Sequence, residues 1–135
     1  QDPKSQYSAV IPLFITAIME GRRPTIYGDG SQTRDFTYVA NNVQANILAA
    51  TTEKPVAGKI INIACGTSYS VLDLLKVINE ALGKNIEPIL VPERKGDIKH
   101  SLADISLARE LLNYKVKVDF TEGIKWTVKW YFNGC

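Results

Sequence analysis

Ile26-Tyr27-Gly28-Asp29-Gly30-Ser31-Gln32-Thr33-Arg34-Asp35-Phe36-Thr37-Tyr38-Val39 sets a glycine-rich polar turn between two apolar segments. Thr25 to Tyr27 reads as a short strand, Gly28 to Gly30 as a turn, and Asp35 to Val39 as a second strand. Further along, Arg94-Lys95-Gly96-Asp97 repeats the combination of arginine, glycine and acid between apolar runs. Two guanidiniums of this kind suit a diphosphate, because each planar fork donates paired, charge-assisted hydrogen bonds. Gly96 lets backbone approach a ligand closely or take a left-handed turn. A plainer reading of each stretch stands beside this one. Arg34 is then a surface arginine paired with Asp35 or Asp29, and Arg94 to Asp97 a solvated turn.

The bulk numbers bound the answer. With 135 residues, 45% of them hydrophobic, the chain is the size of one ordinary domain with its own core. Sixteen basic residues against 14 acidic ones leave a net charge of +2, which gives no nucleic-acid footprint. No apolar run nears the roughly 20 residues of a membrane span, and no secretory segment opens the chain. Cys65 and Cys135 are too few and too far apart for a disulfide framework or a metal site, so both read as reduced thiols of a cytoplasmic protein. A start at Gln1 without Met points to a fragment or a processed product.

Working outward from the turn, Val10, Ile11, Phe14, Ile15 and Ile18 recur at helical spacing after Tyr7, with Pro12 in the first turn and Gly21 as the stop. Asn41 or Asn42 is placed to cap a helix carrying Val43, Ile47 and Leu48 to about Thr52. Lys59 to Ala64 reads as a buried strand through Ile60, Ile61 and Ile63. Ser70 and Asp73 form an acidic variant of the capping box, opening a helix that buries Leu72, Leu75, Ile78 and Leu82 and stops at Gly83. Ile86 to Val91 is a strand and Pro92 to Lys99 a loop. Asp104 caps a short helix with Ile105, Ala108, Leu111 and Leu112. Thr121 caps the last helix, whose Ile124, Val128 and Tyr131 share a face and whose Trp126 and Trp130 pack on a core. The fold class is α/β (α+β for the piece alone): a small mixed sheet with four to five helices.

Other chemistries are set aside on composition. Gly28 to Thr33 opens like a dinucleotide fingerprint but puts Thr33 at the third glycine and precedes a strand, not a helix. With His100 the only histidine, neither a metal cluster nor a Ser-His-Asp triad assembles; it reads as a polar loop residue. Cys65, before Gly66, reads as a small buried residue at a strand end.

Taken together, Gln1-Asp2-Pro3, Ala9 to Pro12, Ile26 to Val39, Asn62-Ile63-Ala64-Cys65-Gly66 and Arg94 to Asp104 resemble a known family over nearly the whole chain. It is that of the extended short-chain dehydrogenase/reductases acting on nucleotide sugars, with the pattern most similar to the UDP-N-acetylglucosamine 4-epimerase group. The resemblance implies that Ala9 and Val10 begin a helix touching the nucleotide. Thr25, Ile26 and Tyr27 hold the uracil, Arg34 and Arg94 clamp the diphosphate, Asp97 accepts from the ribose, and Gln1 lies near the sugar. Ser101 stands where members handling unsubstituted hexoses tend to carry a tyrosine, so it leaves room for an N-acetyl group. Ala40 departs from the family's acidic residue after the Phe-Thr-Tyr-Val strand, a change that bears on the next helix.

The resemblance also implies what else the parent enzyme needs: NAD on a glycine-rich turn, and a tyrosine with lysine four residues later. None of the six tyrosines here has that lysine. Residues 1–135 are therefore expected to be the nucleotide-sugar binding part of a UDP-sugar 4-epimerase (UDP-GlcNAc/UDP-GalNAc or UDP-Glc/UDP-Gal), inactive alone and binding no cofactor itself. An N-terminal NAD-binding domain is the expected partner, with self-association of the lone chain as the other expectation. A dehydratase or reductase half and a free-standing nucleotide-sugar binding module are the alternatives.

Overall fold

The computed structural model describes residues 9–133, so the expectations at Gln1, Tyr7 and Cys135 lie outside the described residues. The elements run α1 (Val10–Met19), β1 (Thr25–Tyr27), β2 (Thr33–Arg34), α2 (Val39–Thr51), β3 (Tyr69–Ser70), α3 (Val71–Leu82), β4 (Ile89–Val91), α4 (Ser106–Leu112) and α5 (Phe120–Phe132). Instead of one mixed sheet there are two two-stranded sheets, β1 with β4 and β2 with β3. β1 and β4 are parallel, with Thr25, Ile26 and Tyr27 opposite Ile89, Leu90 and Val91. The chain divides into two compact units.

The first unit comprises the chain up to Gln32, Ser70–Lys99 and the chain from Ile124 onward. Phe14, Ile15 and Ile18 of α1 are buried, as are Ile26 of β1 and Leu74, Leu75 and Ile78 of α3, and α1 packs on α3. The α3 start forms as the sequence predicts. Ser70 Oγ accepts from Asp73 N at 3.0 Å, and Asp73 Oδ2 accepts from Ser70 N at 2.9 Å. Ser70 Oγ also donates to Asp73 Oδ2 at 2.6 Å, and this bond, followed by that from Ser70 N, holds the Asp73 carboxyl below its ordinary range. The helix ends at Gly83, in the left-handed conformation.

Its buried face is rotated from the expected one. Leu74 is inside, and Leu72 is 43% exposed. Leu72 instead packs over the β1–β2 turn. A Cβ on Gly30 would stand 2.7 Å from Leu72 Cγ, so only glycine lets that turn close onto α3. The Ile86–Val91 strand shortens to Ile89–Val91, because Asn79 satisfies Ile86 from both sides. Asn79 Oδ1 accepts from Ile86 N at 3.0 Å, and Asn79 Nδ2 donates to Ile86 O at 3.1 Å. In α5, Ile124 and Val128 are buried, whereas Trp126 and Trp130 are about half exposed, contrary to a core role for the two indoles.

The second unit comprises Thr33–Tyr69 and His100–Gly123. Its core joins Ala45 of α2, Ala64, Ile105, Ala108 and Leu112 of α4, and Tyr114, whose hydroxyl donates to Ala64 O at 3.0 Å. Here four local readings are corrected. The second strand lies at Thr33–Arg34, and Val39 already opens α2. Asn41 caps nothing: it is fully buried inside α2 and binds the 117–118 backbone. Thr121 is not the α5 cap, because Asp119 Oδ1 accepts from Glu122 N at 2.8 Å. Residues 59–64 form no strand, and Ile60 is 92% exposed. A β ladder needs a partner backbone, and no described residue makes ladder bonds to this run.

Candidate functional site

The first unit gathers three of the expected site residues. Tyr27, Arg94 and Asp97 line one cavity of about 60 Å³, together with Gln32, Glu93 and Lys99. Tyr27 ends β1, pointing out of the sheet while Ile26 points in. β1 is extended by Gly28 N donating to Val91 O at 2.8 Å. Gln32 Nε2 donates to Tyr27 O at 2.8 Å and fixes the far side of the turn. Arg94 sits over Tyr27, with its guanidinium carbon 3.8 Å from the ring centroid, a cation–π contact. Asp97 N donates to Arg94 O at 3.2 Å, so both side chains come from one tight turn through Gly96.

Lys99, which lines this cavity, binds Asp29 on the β1–β2 turn. Asp29 Oδ1 accepts from Ser31 N at 2.9 Å, Ser31 Oγ at 2.7 Å and Lys99 Nζ at 3.0 Å. These bonds, the Ser31 hydroxyl foremost, hold the Asp29 carboxyl far below the usual carboxylate range. The Asp29 partner in turn raises the Lys99 ammonium. Both groups are charged throughout the physiological range.

Thr25 and Ile26 stand in β1, Ile26 buried; Ala9 is the exposed N-cap of α1 and Val10 its first helical residue. Arg34 and Ser101 belong to the second unit. Arg34 Nη1 donates to Thr33 O at 2.8 Å, and Ser101 N donates to the same carbonyl at 3.1 Å. His100 is exposed and shares a 3.0 Å hydrogen bond with the Thr33 hydroxyl. Asp35 turns inward to accept from Cys65 N and Gly66 N at 2.9 and 2.8 Å. Sequence reasoning passed over Lys99, Glu93 and Gln32, although the opposite charges of Asp29, Glu93 and Lys99 beside the two motifs were a usable signal.

The glycine turn does not fit a dinucleotide. β2 follows it where a helix is required, and the space at Gly30 is filled by Leu72. A larger cavity of about 590 Å³ in the second unit is walled by the stacked Tyr69 and Phe120 rings, 4.1 Å apart, with Arg109, Lys115 and Asp119. None of the expected nucleotide-sugar contacts lines it, although Cys65 of the Asn62–Gly66 motif does. Its Cys65 thiol is pushed up, burial being the largest cause, which makes it a poor nucleophile. Among the described residues no group of three or more His, Cys, Asp or Glu is placed to hold a metal, and no helix is long and apolar enough to cross a membrane.

The profile of the GDP-mannose 4,6 dehydratase family matches residues 2–127, nearly the whole chain. The chain belongs to the extended short-chain dehydrogenase/reductase family of nucleotide-sugar epimerases and dehydratases. Among solved members of this family, UDP-N-acetylglucosamine 4-epimerase from Methanobrevibacter ruminantium M1, in complex with UDP-N-acetylmuramic acid, is 45% identical. It superposes with a TM-score of 0.88 over 98% of this chain and 42% of its own. A UDP-glucuronic acid 4-epimerase variant from Bacillus cereus, in complex with a fluorinated UDP-sugar and NAD, is 30% identical with a TM-score of 0.89, over 98% and 41% of the two chains. UDP-glucose 4-epimerase of Mycolicibacterium smegmatis is 35% identical over 98% of this chain and 42% of that protein. The chain thus spans about two fifths of the length of these relatives. With the family goes the Rossmann-type α/β class read from the sequence.

Proposed function

We propose that this chain grips the UDP moiety of a nucleotide sugar for an NAD-dependent 4-epimerase, with UDP-N-acetylhexoses as the preferred substrates. The observation that carries the reading is the Arg94 guanidinium over Tyr27, its carbon 3.8 Å from the ring centroid, in the same cavity as Asp97. An aromatic edge for a base, a bidentate cation for a diphosphate and a carboxylate for ribose hydroxyls are the three groups a nucleoside diphosphate requires. Arg34 supplies the second guanidinium, Thr25 to Tyr27 the strand beside the base, Ala9 and Val10 the helix start, and Gln1 a sugar contact. Binding energy from this remote end of the substrate positions the reacting carbon. NAD, its domain and the tyrosine–lysine pair belong to the rest of the protein. The family profile is named for a dehydratase, and the same clamp serves a dehydratase half.

The chain alone is expected to bind UDP and to leave UDP-N-acetylglucosamine unchanged in the presence of NAD. Calorimetry with UDP and NMR of the sugar check both. Absence of UDP binding, or an enzyme-dependent galacto epimer, refutes the reading.

Ser101 sets the sugar preference in this scheme. With the NAD-binding part present, Ser101→Tyr fills the space for the acetamido group and lowers turnover of UDP-N-acetylhexoses by about tenfold or more, with much less effect on UDP-hexoses. Equal losses on both substrates would leave Ser101 without that role.

The expected partner surface is in the second unit. Val43 and Ile47 of α2 are more than half exposed, and Ile60 almost wholly so. Large apolar side chains left in water favour association with another chain. Sedimentation of the isolated chain is expected to show concentration-dependent association, weakened by Ile60→Lys. A monomer at all concentrations denies it.

A further inference from the structure

We infer that Lys99 is the positioning residue of this site, a latch that holds the 93–99 loop closed and keeps Arg94 seated on Tyr27. The inference deepens the nucleotide-binding reading and rests on it.

Lys99 closes the loop at its far end and reaches two carboxylates. Its Nζ donates to Asp29 Oδ1 at 3.0 Å, on the β1–β2 turn, and lies 3.7 Å from Glu93 Oε1, at the loop's own beginning. One ammonium therefore joins both ends of the loop to each other and to the turn. Arg94 follows Glu93 directly, and Asp97 sits midway to Lys99, so their positions depend on where those ends are held. The other charged groups of the cavity are Arg94 and Asp97 themselves.

Gly28 supplies an independent observation. Its φ of +87° is left-handed, and a Cβ there would stand 2.9 Å from Glu93 Cγ. The turn thus leaves a place for the Glu93 stem that any side chain at position 28 would take away. Asp29 is oriented for Lys99 by two hydrogen bonds from Ser31, so the acceptor is preorganised. With side-chain exposures of 45% for Lys99, 66% for Asp29 and 71% for Glu93, the latch is water-exposed, adjustable and sensitive to salt.

The test uses the full chain, with NMR of the Arg94 side chain and calorimetry with UDP. In the wild type, the Arg94 δ and ε protons are shifted upfield by the Tyr27 ring, and rising salt reduces that shift. Lys99→Met keeps the stem, removes the charge and is expected to abolish most of the shift and its salt dependence. UDP affinity falls about threefold to fivefold. Lys99→Arg restores both. Gly28→Ala, which leaves every charge in place, is expected to reproduce the loss by displacing Glu93. Unchanged amide shifts in α1 and α3 establish that each variant is folded. A Lys99→Met protein that keeps the Arg94 shift overturns the latch, whatever its affinity for UDP. Loss of the shift in a protein whose wild type binds no UDP supports the latch and refutes the nucleotide reading.

Discussion

Asn41→Ala is expected to lower the unfolding free energy by about 2–4 kcal/mol, because it orphans three backbone groups at once. Asn41 Nδ2 donates to Val118 O at 2.8 Å, and Asn41 Oδ1 accepts from Lys117 N and Val118 N, both at 3.1 Å. Asn41 and Val118 are both buried, so water cannot replace the partner of the two Val118 groups without opening the unit, whereas Lys117 lies at the surface. The bonds tie α2 to the segment entering α5, across a separation of 77 residues in the chain. Asn42→Ala, one residue along on the exposed side of the helix, is the control and is expected to change stability by less than about 0.5 kcal/mol. Urea denaturation of the two variants decides the matter. Equal midpoints would mean that the 117–118 backbone is held by something other than Asn41.

The second large effect concerns the clamp. Arg34→Ala and Arg94→Ala are each expected to weaken UDP binding by about 1.5–3 kcal/mol, the range for hydrogen bonds to charged groups. Lysine at either position restores only part of this, since a point charge cannot reproduce the planar fork. At position 94 the lysine also loses the guanidinium–ring contact with Tyr27, so recovery should be poorer there than at position 34. Calorimetry on the intact protein measures all four variants. Wild-type affinity in both alanine variants would remove the diphosphate from these two arginines.

How much of the fold and site is legible in the sequence depends on how far apart the cooperating residues lie. The Ser70–Asp73 capping box, the stop at Gly83, the β1 strand and the Gly28–Gly30 turn are all readable, because each rests on residues within a few positions of one another. The family pattern is readable too, since it is carried by short motifs.

Features that depend on distant partners do not read in this way. Asn41 has the look of a helix cap, and only the return of residues 117–118 shows that its amide serves another segment. The apolar residues of α2 and of residues 59–64 match the periods of a buried helix and a buried strand, yet Val43, Ile47 and Ile60 are exposed. Periodicity marks which residues share a face, not what lies against it. The same division runs through the site. The sequence by itself determined the chemistry at hand, one arginine following a glycine turn and another sharing a glycine turn with an acid. The tertiary structure decided that Arg94 lies on Tyr27 and that Lys99 bridges Asp29 and Glu93, because parallel pairing of β1 with β4 sets a turn and a loop far apart in the chain side by side.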